Sequence, residues 1–305
     1  MEMASESDDG SGLGFLSILH RVPDSDQENE EEEKQLDGSL RGAAPSPSLA
    51  VQRHHLISIG AAIVTRQLPS QGLSFQLWPA ASSLVSLLDR DPSRILPPSA
   101  SPLRILELGS GTGLVGIAAA AVLGARVTLT DLPHVLPNLE FNALANADLV
   151  AARSGSLSIR QLRWGVADDF DALGSRLPFD ALIASDVVYY DHLIQPLLET
   201  LRVFVKREVV FVMAHLRRWK KRDGVFFRKA RKLFEVAVVH TDPPLPGCRN
   251  CVTVYRFTAR RRDGGCRGSQ YLRSRTRLAV ATRNDISRSR HRRKQMRRPH
   301  HRRIA

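Results

Sequence analysis

One stretch, Ile105-Leu106-Glu107-Leu108-Gly109-Ser110-Gly111-Thr112-Gly113-Leu114-Val115-Gly116, limits what this chain can fold into more than any other. An apolar strand-like run, Leu103 to Leu108, enters three glycines spaced by two. An Ala-rich helical run then extends from Leu114 to Leu123. Glycine permits positive φ and lets a ligand approach the main chain closely. The helix beyond presents free N–H groups and its positive dipole end to whatever lies on the turn. Strand, turn and helix in this order read as a nucleotide-type cofactor site.

Two cofactors compete for it. Gly111-x-Gly113-x-x-Gly116 satisfies the dinucleotide fingerprint, with Asp131 near the spacing expected of a ribose-binding acid. Read as Glu107-x-Gly109-x-Gly111-x-Gly113, the run resembles the first motif of class I S-adenosylmethionine-dependent methyltransferases. Glu107 discriminates between them, because a carboxylate at the strand end repels a pyrophosphate and suits a cationic cofactor that has no phosphate.

The flanks differ sharply in charge. Residues 1–50 carry twelve Asp/Glu against three Lys/Arg, and residues 259–305 carry seventeen Lys/Arg against two Asp. The overall charge of +13 is thus mostly a property of the tail and does not describe the fold. This asymmetry predicts three parts: a disordered acidic segment over 1–50, one folded domain over 51–258 and a disordered Arg-rich tail over 259–305. Within the first, Leu13 to Leu19 is a candidate partner-binding helix. Three cysteines make no disulfide framework, and the acidic start has no signal-peptide form. No apolar run is long enough to span a bilayer. The expectation is a monomer of the cytoplasm, with the nucleus as a second address.

Within the folded part, His54 to Val64 reads as a strand whose hairpin partner is Leu73 to Trp78, joined by a turn at Pro69 to Gly72. Pro79 opens a helix. From Leu103 strands and helices alternate, with strands at Arg126–Thr130, Leu157–Leu162, Phe179–Ala184 and Glu208–Ala214. Two last strands, Phe234–His240 and Val252–Phe257, have no helix between them. The pattern predicts a doubly wound α/β sheet of seven strands with an antiparallel C-terminal pair and an N-terminal β-hairpin cap.

Asp131 ends the second strand of this sheet, where its carboxylate can accept ribose hydroxyls or cap the following helix. Asp186-Val187-Val188-Tyr189 follows the fourth strand at the carboxyl edge, and sets an acceptor and an aromatic wall where a lysine ammonium could enter. Together with Leu77-Trp78-Pro79-Ala80, Thr130-Asp131, Leu162-Arg163-Trp164-Gly165 and Ser185-Asp186, these motifs resemble methyltransferase family 16, seven-strand protein-lysine methyltransferases, over about Leu56 to Phe257. The resemblance implies an S-adenosylmethionine site formed by Trp78, Glu107, Gly109, Ser110, Gly111, Gly113, Asp131, Trp164 and Ser185. It also implies that Asp186 and Tyr189 serve the reaction at a lysine channel. Many members have Ala where Ser185 stands, and the added hydroxyl needs a partner.

Cys248-x-x-Cys251 lacks a second pair, so no metal is expected. His215 and His240 lack a carboxylate or cysteine at catalytic spacing and read as loop histidines. The resulting expectation is a protein-lysine N-methyltransferase that uses S-adenosylmethionine and a protein substrate. The Arg-rich tail offers at most weak nucleic-acid contact. Alternatives are a class I methyltransferase acting on RNA or a small molecule, a nicotinamide-dependent oxidoreductase, and a cofactor-binding module without catalysis.

Overall fold

The computed structural model describes residues 50–99, 101–173, 179–244 and 250–260. The readings made for the acidic segment before residue 50, for the Arg-rich tail and for Cys248 lie outside the described residues.

The first element is a hairpin, with β1 over Ala50–Leu56 and β2 over Ala61–Gln67. A cap of this kind is as expected, but its strands and turn are not. The chain reverses at Ile57 to Gly60, where Gly60 takes φ 60° and the Asp89 carboxylate accepts the N–H groups of Ile57 and Ser58 at 2.7 and 3.0 Å. The run read as the partner strand instead holds a 3-10 turn, Leu73–Phe75, preceded by another at Pro69–Gln71. The Phe75 N–H donates to the Gly72 carbonyl at 3.1 Å and the Phe75 carbonyl accepts the Leu68 N–H at 2.8 Å, so these groups close the turn and make no ladder with β2. Helix α1, Pro79–Arg90, follows and buries Leu84, Val85, Leu87 and Leu88.

The sheet then builds as predicted. Strand β3 (Arg104–Leu108) leads to α2 (Leu114–Leu123), β4 (Arg126–Asp131), α3 (Leu136–Ala145), α4 (Ala147–Ala152) and β5 (Ser156–Gln161). After α5 (Ala167–Ala172) the chain returns through β6 (Ala181–Ser185), α6 (Asp191–Phe204), β7 (Val210–Leu216), α7 (Lys220–Leu233), β8 (Phe234–Thr241) and β9 (Val252–Ala259). The strand order is β5-β4-β3-β6-β7-β9-β8. The five strands from β5 to β7 run parallel, and β9 pairs antiparallel with both β7 and β8.

Alternation along each strand divides the core. On β3, Ile105 faces the cluster that includes α1, α2 and the hairpin residues Leu56 and Ile63. Leu106 and Leu108 face the opposite cluster, which α6 and α7 cover with Ile194, Leu197, Leu201, Phe226 and Phe227. The chain reverses its winding between β3 and β6, and the carboxyl ends of these two strands flank the crevice where open α/β sheets bind ligands.

The hairpin adds no strand to this sheet. Three asparagines one turn apart on α3 and its end take the place of a neighbouring strand. Asn142 Oδ1 accepts the Arg66 N–H at 2.7 Å and its Nδ2 donates to the carbonyls of Arg66 and Thr112. Asn146 makes the same two-way pair with Val64, and Asn138 Oδ1 accepts from the Arg66 guanidinium at 2.8 Å. All three side chains are buried. Replacing Asn142 with alanine leaves the Arg66 N–H without its acceptor, and the expected destabilisation is about 1–3 kcal/mol. Chemical denaturation of the two proteins measures it.

Candidate active site

The glycine turn lies at the carboxyl end of β3 and takes the backbone form its composition predicts. Gly109, Gly111 and Gly113 have φ of 61°, 53° and 81°, the left-handed region that side chains rarely enter. A Cβ on Gly109 would stand 3.2 Å from both the Trp164 ring and the Val187 side chain, so the turn lies flush between the sequence-predicted Trp164 and a second wall, Val187. Ser110 ties the turn to β4: its N–H donates to the Thr130 carbonyl at 2.9 Å and its Oγ accepts the Thr130 N–H at 3.0 Å.

Two carboxyl groups sit beneath this turn. Asp131, at the end of β4, accepts the N–H of Gly111 and of Leu132, each at 2.8 Å. Burial raises its pKa, and those two N–H groups hold the rise back. Glu107 shares a face with Ile105 and therefore points under α2. There its Oε2 accepts the Gly116 N–H at 3.2 Å. A Cβ on Gly116 would lie 2.5 Å from that oxygen, so glycine at 116 is what lets the helix settle onto the carboxyl. Burial pushes the Glu107 pKa up to about 8, against the pull of Ser110 and the Gly116 N–H. The charge argument drawn from the sequence therefore weakens, because at neutral pH this carboxyl keeps its proton.

Trp164 is held from both sides. Asp169 accepts from the backbone N–H, Nε and an Nη of Arg163 at 2.7, 2.9 and 2.9 Å, and the Gly165 N–H donates to Thr200 Oγ1 at 3.0 Å. Trp78 donates from Nε1 to the Leu73 carbonyl at 3.0 Å, which folds the Leu73–Phe75 turn back over the site. The carbonyl of Ser74 would be 3.1 Å from a Cβ on Gly111.

Across the crevice Ser185 ends β6, and Asp186 follows in the left-handed region at φ 52°. The Asp186 carboxylate is buried and already engaged. Its Oδ1 accepts the Leu216 N–H at 2.9 Å and lies 3.3 Å from His215 Nδ1, while Oδ2 accepts from Arg218 at 3.1 Å. Burial opposes ionisation here, but Arg218 and His215 outweigh it and hold the pKa below the usual carboxylate range. Tyr189 stands with its ring 4.9 Å from that of Tyr190, and burial followed by the Asp131 charge pushes its phenol up to about 12. It is a neutral hydroxyl at physiological pH.

The fold thus brings the glycine turn, Asp131, Trp164 and Asp186 to one crevice, and links Trp78 to it through Arg218, whose guanidinium carbon lies 5.1 Å from the Trp78 ring centre. Sequence reasoning did not pair Arg218 with Asp186, and it read two histidines as loop residues. His215 lies in β7 between two carboxylates, and His240 lies in β8 with Nε2 2.9 Å from Asp242 Oδ1. Neither is a loop histidine, because their partners come from elsewhere in the chain or from the strand's end. Among the described residues no group of three His, Cys, Asp or Glu side chains could hold a metal ion.

A family profile described as lysine methyltransferase matches residues 61–233. The chain belongs to that family. Its relatives include the protein-lysine N-methyltransferase rrg1 of Schizosaccharomyces pombe, 32% identical over 59% of this chain and 58% of rrg1. The mouse protein-lysine methyltransferase METTL21E is 32% identical over 55% of this chain and 66% of its own length. The zebrafish (Danio rerio) protein N-lysine methyltransferase METTL21A is 33% identical over 56% and 73%. The chain therefore spans less than two thirds of the first two of these family members.

Since folded Glu107 binds its proton more tightly than the unfolded chain does, stability falls as pH rises from about 4.5 to about 8. The Glu107→Gln variant should lose this part of the slope. Thermal melts of both proteins at pH 5 and pH 8 give the comparison.

Proposed function

We propose that the chain is an S-adenosylmethionine-dependent methyltransferase that transfers the sulfonium methyl to a lysine amine of a protein substrate. The observation that carries this reading is the pairing of two features across one crevice. One is a glycine turn floored by Asp131, and the other is the Asp186-x-x-Tyr189 segment on the next strand of the sheet.

The residues fit the cofactor. Three left-handed glycines leave the turn without side chains, Trp164 and Val187 border it, and the buried Asp131 carboxylate can accept ribose hydroxyls at the strand end. When bound, S-adenosylmethionine supplies a methyl group on a cationic sulfur, open to in-line displacement. Ser110 bonds to Thr130 through its backbone and side chain, and its hydroxyl also pulls on Glu107, so this residue shapes the turn rather than reaching across it. Glu107 acts from beneath, by seating α2. Ser185 ends β6, directly before Asp186.

The chain's task toward the substrate is to admit a lysine, align it and let its proton leave. Asp186 presents an ionised carboxylate to the incoming ammonium, which enters a position that Arg218 now shares. Tyr189, neutral and half-buried, limits the direction of approach. Its pKa of about 12 makes it a wall and hydrogen-bonding group, not a base at physiological pH. Desolvation lowers the amine pKa, and water takes the proton, so that a neutral amine reaches attack distance. A protein acceptor is supported by relatives named protein-lysine methyltransferases. A monomer acting in the cytoplasm, with the nucleus as a second address and the Arg-rich tail as a weak nucleic-acid contact, completes the proposal.

Calorimetric titration with S-adenosylhomocysteine tests the cofactor. Micromolar-range binding is expected for the full chain, with at least a roughly tenfold loss in Asp131→Ala. Labelled methyl transfer from S-adenosylmethionine into separated protein and RNA fractions tests the acceptor. Label in lysine of protein is expected, and Asp186→Asn should lower the rate by about tenfold or more while homocysteine binding persists. Label in RNA alone, or binding without any transfer, would replace this reading by one of its competitors.

A further inference from the structure

Behind Asp186 lies a chain of charged groups that neither the cofactor site nor the substrate channel has used. His215, on β7, is fully buried. Its Nδ1 lies 3.3 Å from Asp186 Oδ1 and its Nε2 3.0 Å from Asp223 Oδ1, on the first turn of α7. Asp223 is also fully buried. On the far side of Asp186 the Arg218 guanidinium closes the series and rests near the Trp78 ring. Cation, anion, cation and anion alternate from the crevice into the core.

A neutral imidazole donates from one nitrogen only, whereas here a carboxylate oxygen stands beside each. Imidazolium is the form that suits both. Burial works against that charge, but the two carboxylates outweigh it and raise the pKa above the ordinary histidine value. The arrangement is not an economical way to fill a core. Three buried side-chain polar atoms among the described residues lack a hydrogen bond, and two of them are His215 Nδ1 and Asp223 Oδ2. The Nδ1 contact is an ion pair without good hydrogen-bond alignment. Well-packed apolar residues would often stabilise a core as well as such a group does. Asp186 itself is held at a positive φ that a non-glycine residue adopts at some cost. Buried charge and backbone strain converge on one carboxylate at the crevice.

We propose that His215 and Asp223 are positioning residues for the transfer: the imidazolium, anchored on Asp223, keeps the Asp186 carboxylate turned so that Oδ2 faces the entering amine. The proposal rests on the lysine reading above. His215 fixes the inner oxygen together with the Leu216 N–H, and leaves the outer oxygen for a cation. Arg218 holds that place in the absence of substrate.

The test uses the full chain, its Asp223→Asn and His215→Asn variants, and three probes. Imidazole nitrogen NMR, with the His215 signal assigned by its loss in His215→Asn, should show both ring nitrogens protonated in the wild type and one released in Asp223→Asn. S-adenosylhomocysteine affinity should stay within about twofold in Asp223→Asn. Labelled transfer from S-adenosylmethionine into the proteins of a cell extract should fall by about tenfold at saturating extract, as expected when a group that aligns the reactants loses its orientation. Its half-saturating extract concentration should change little. Unchanged transfer in Asp223→Asn overturns the proposal. So does a loss of transfer matched by equal losses in cofactor affinity and melting temperature, which would mark a purely structural pair. If the wild type binds S-adenosylhomocysteine yet labels no protein, the lysine reading fails and this role falls with it. The nitrogen signals then separate that outcome from a missing imidazolium.

Discussion

The seating of α2 on Glu107 is the contact on which the site's geometry depends. Strand alternation turns this carboxyl to the helix side of β3, and Gly116 lets the helix backbone come close enough to donate to it. The first turn of α2 is then fixed over the strand end, and the glycines before it have only one path to follow. The three positive φ values of the turn follow from that short span. So does the position of Gly111, whose N–H reaches Asp131 on the neighbouring strand. A group that keeps its proton at neutral pH does this without burying a full charge, which would be far more expensive.

The site is completed by elements that share no local sequence. Trp164 depends on the Arg163–Asp169 pair after β5, and Trp78 on a 3-10 turn before α1. Asp186 depends on β7 and the loop beyond it, through Leu216, His215 and Arg218. Trp164 and Trp78 thus combine a local contact with one from another part of the chain, whereas Asp186 is held by distant partners. Membership of the lysine methyltransferase family accounts for the order of the motifs. The interlocking contacts account for how they are held.

What the sequence made legible had a short-range cause. The seven strands, the antiparallel ending and the main helices follow from apolar periodicity, and the glycine turn from residues whose backbone freedom is local. The hairpin was expected in kind but placed about one strand too late. Its turn is fixed by Asp89, more than thirty residues away, while Pro69 and Pro79 seemed to frame a strand that is a 3-10 turn. Helices α4 and α5, six residues each, are too short to show a period. Asp131 and Asp186 could be singled out because they follow strands. His215 could not, because its two carboxylates become neighbours only when β6, β7 and α7 pack together. Asn138, Asn142 and Asn146 recur at a spacing of four, but only the fold shows that they grip β2.

That grip gives the hairpin an unusual independence. Its outer edge is satisfied by amides of side chains, so no backbone ladder joins it to the seven-stranded sheet. Opening this part of the molecule would break side-chain bonds and uncover Leu56 and Ile63, yet leave every strand pair of the sheet intact. Diversification has the same freedom. Insertions or altered residues along β1, the strand farther from α3, would leave the ladder of the seven-stranded sheet and the asparagine bonds to β2 in place.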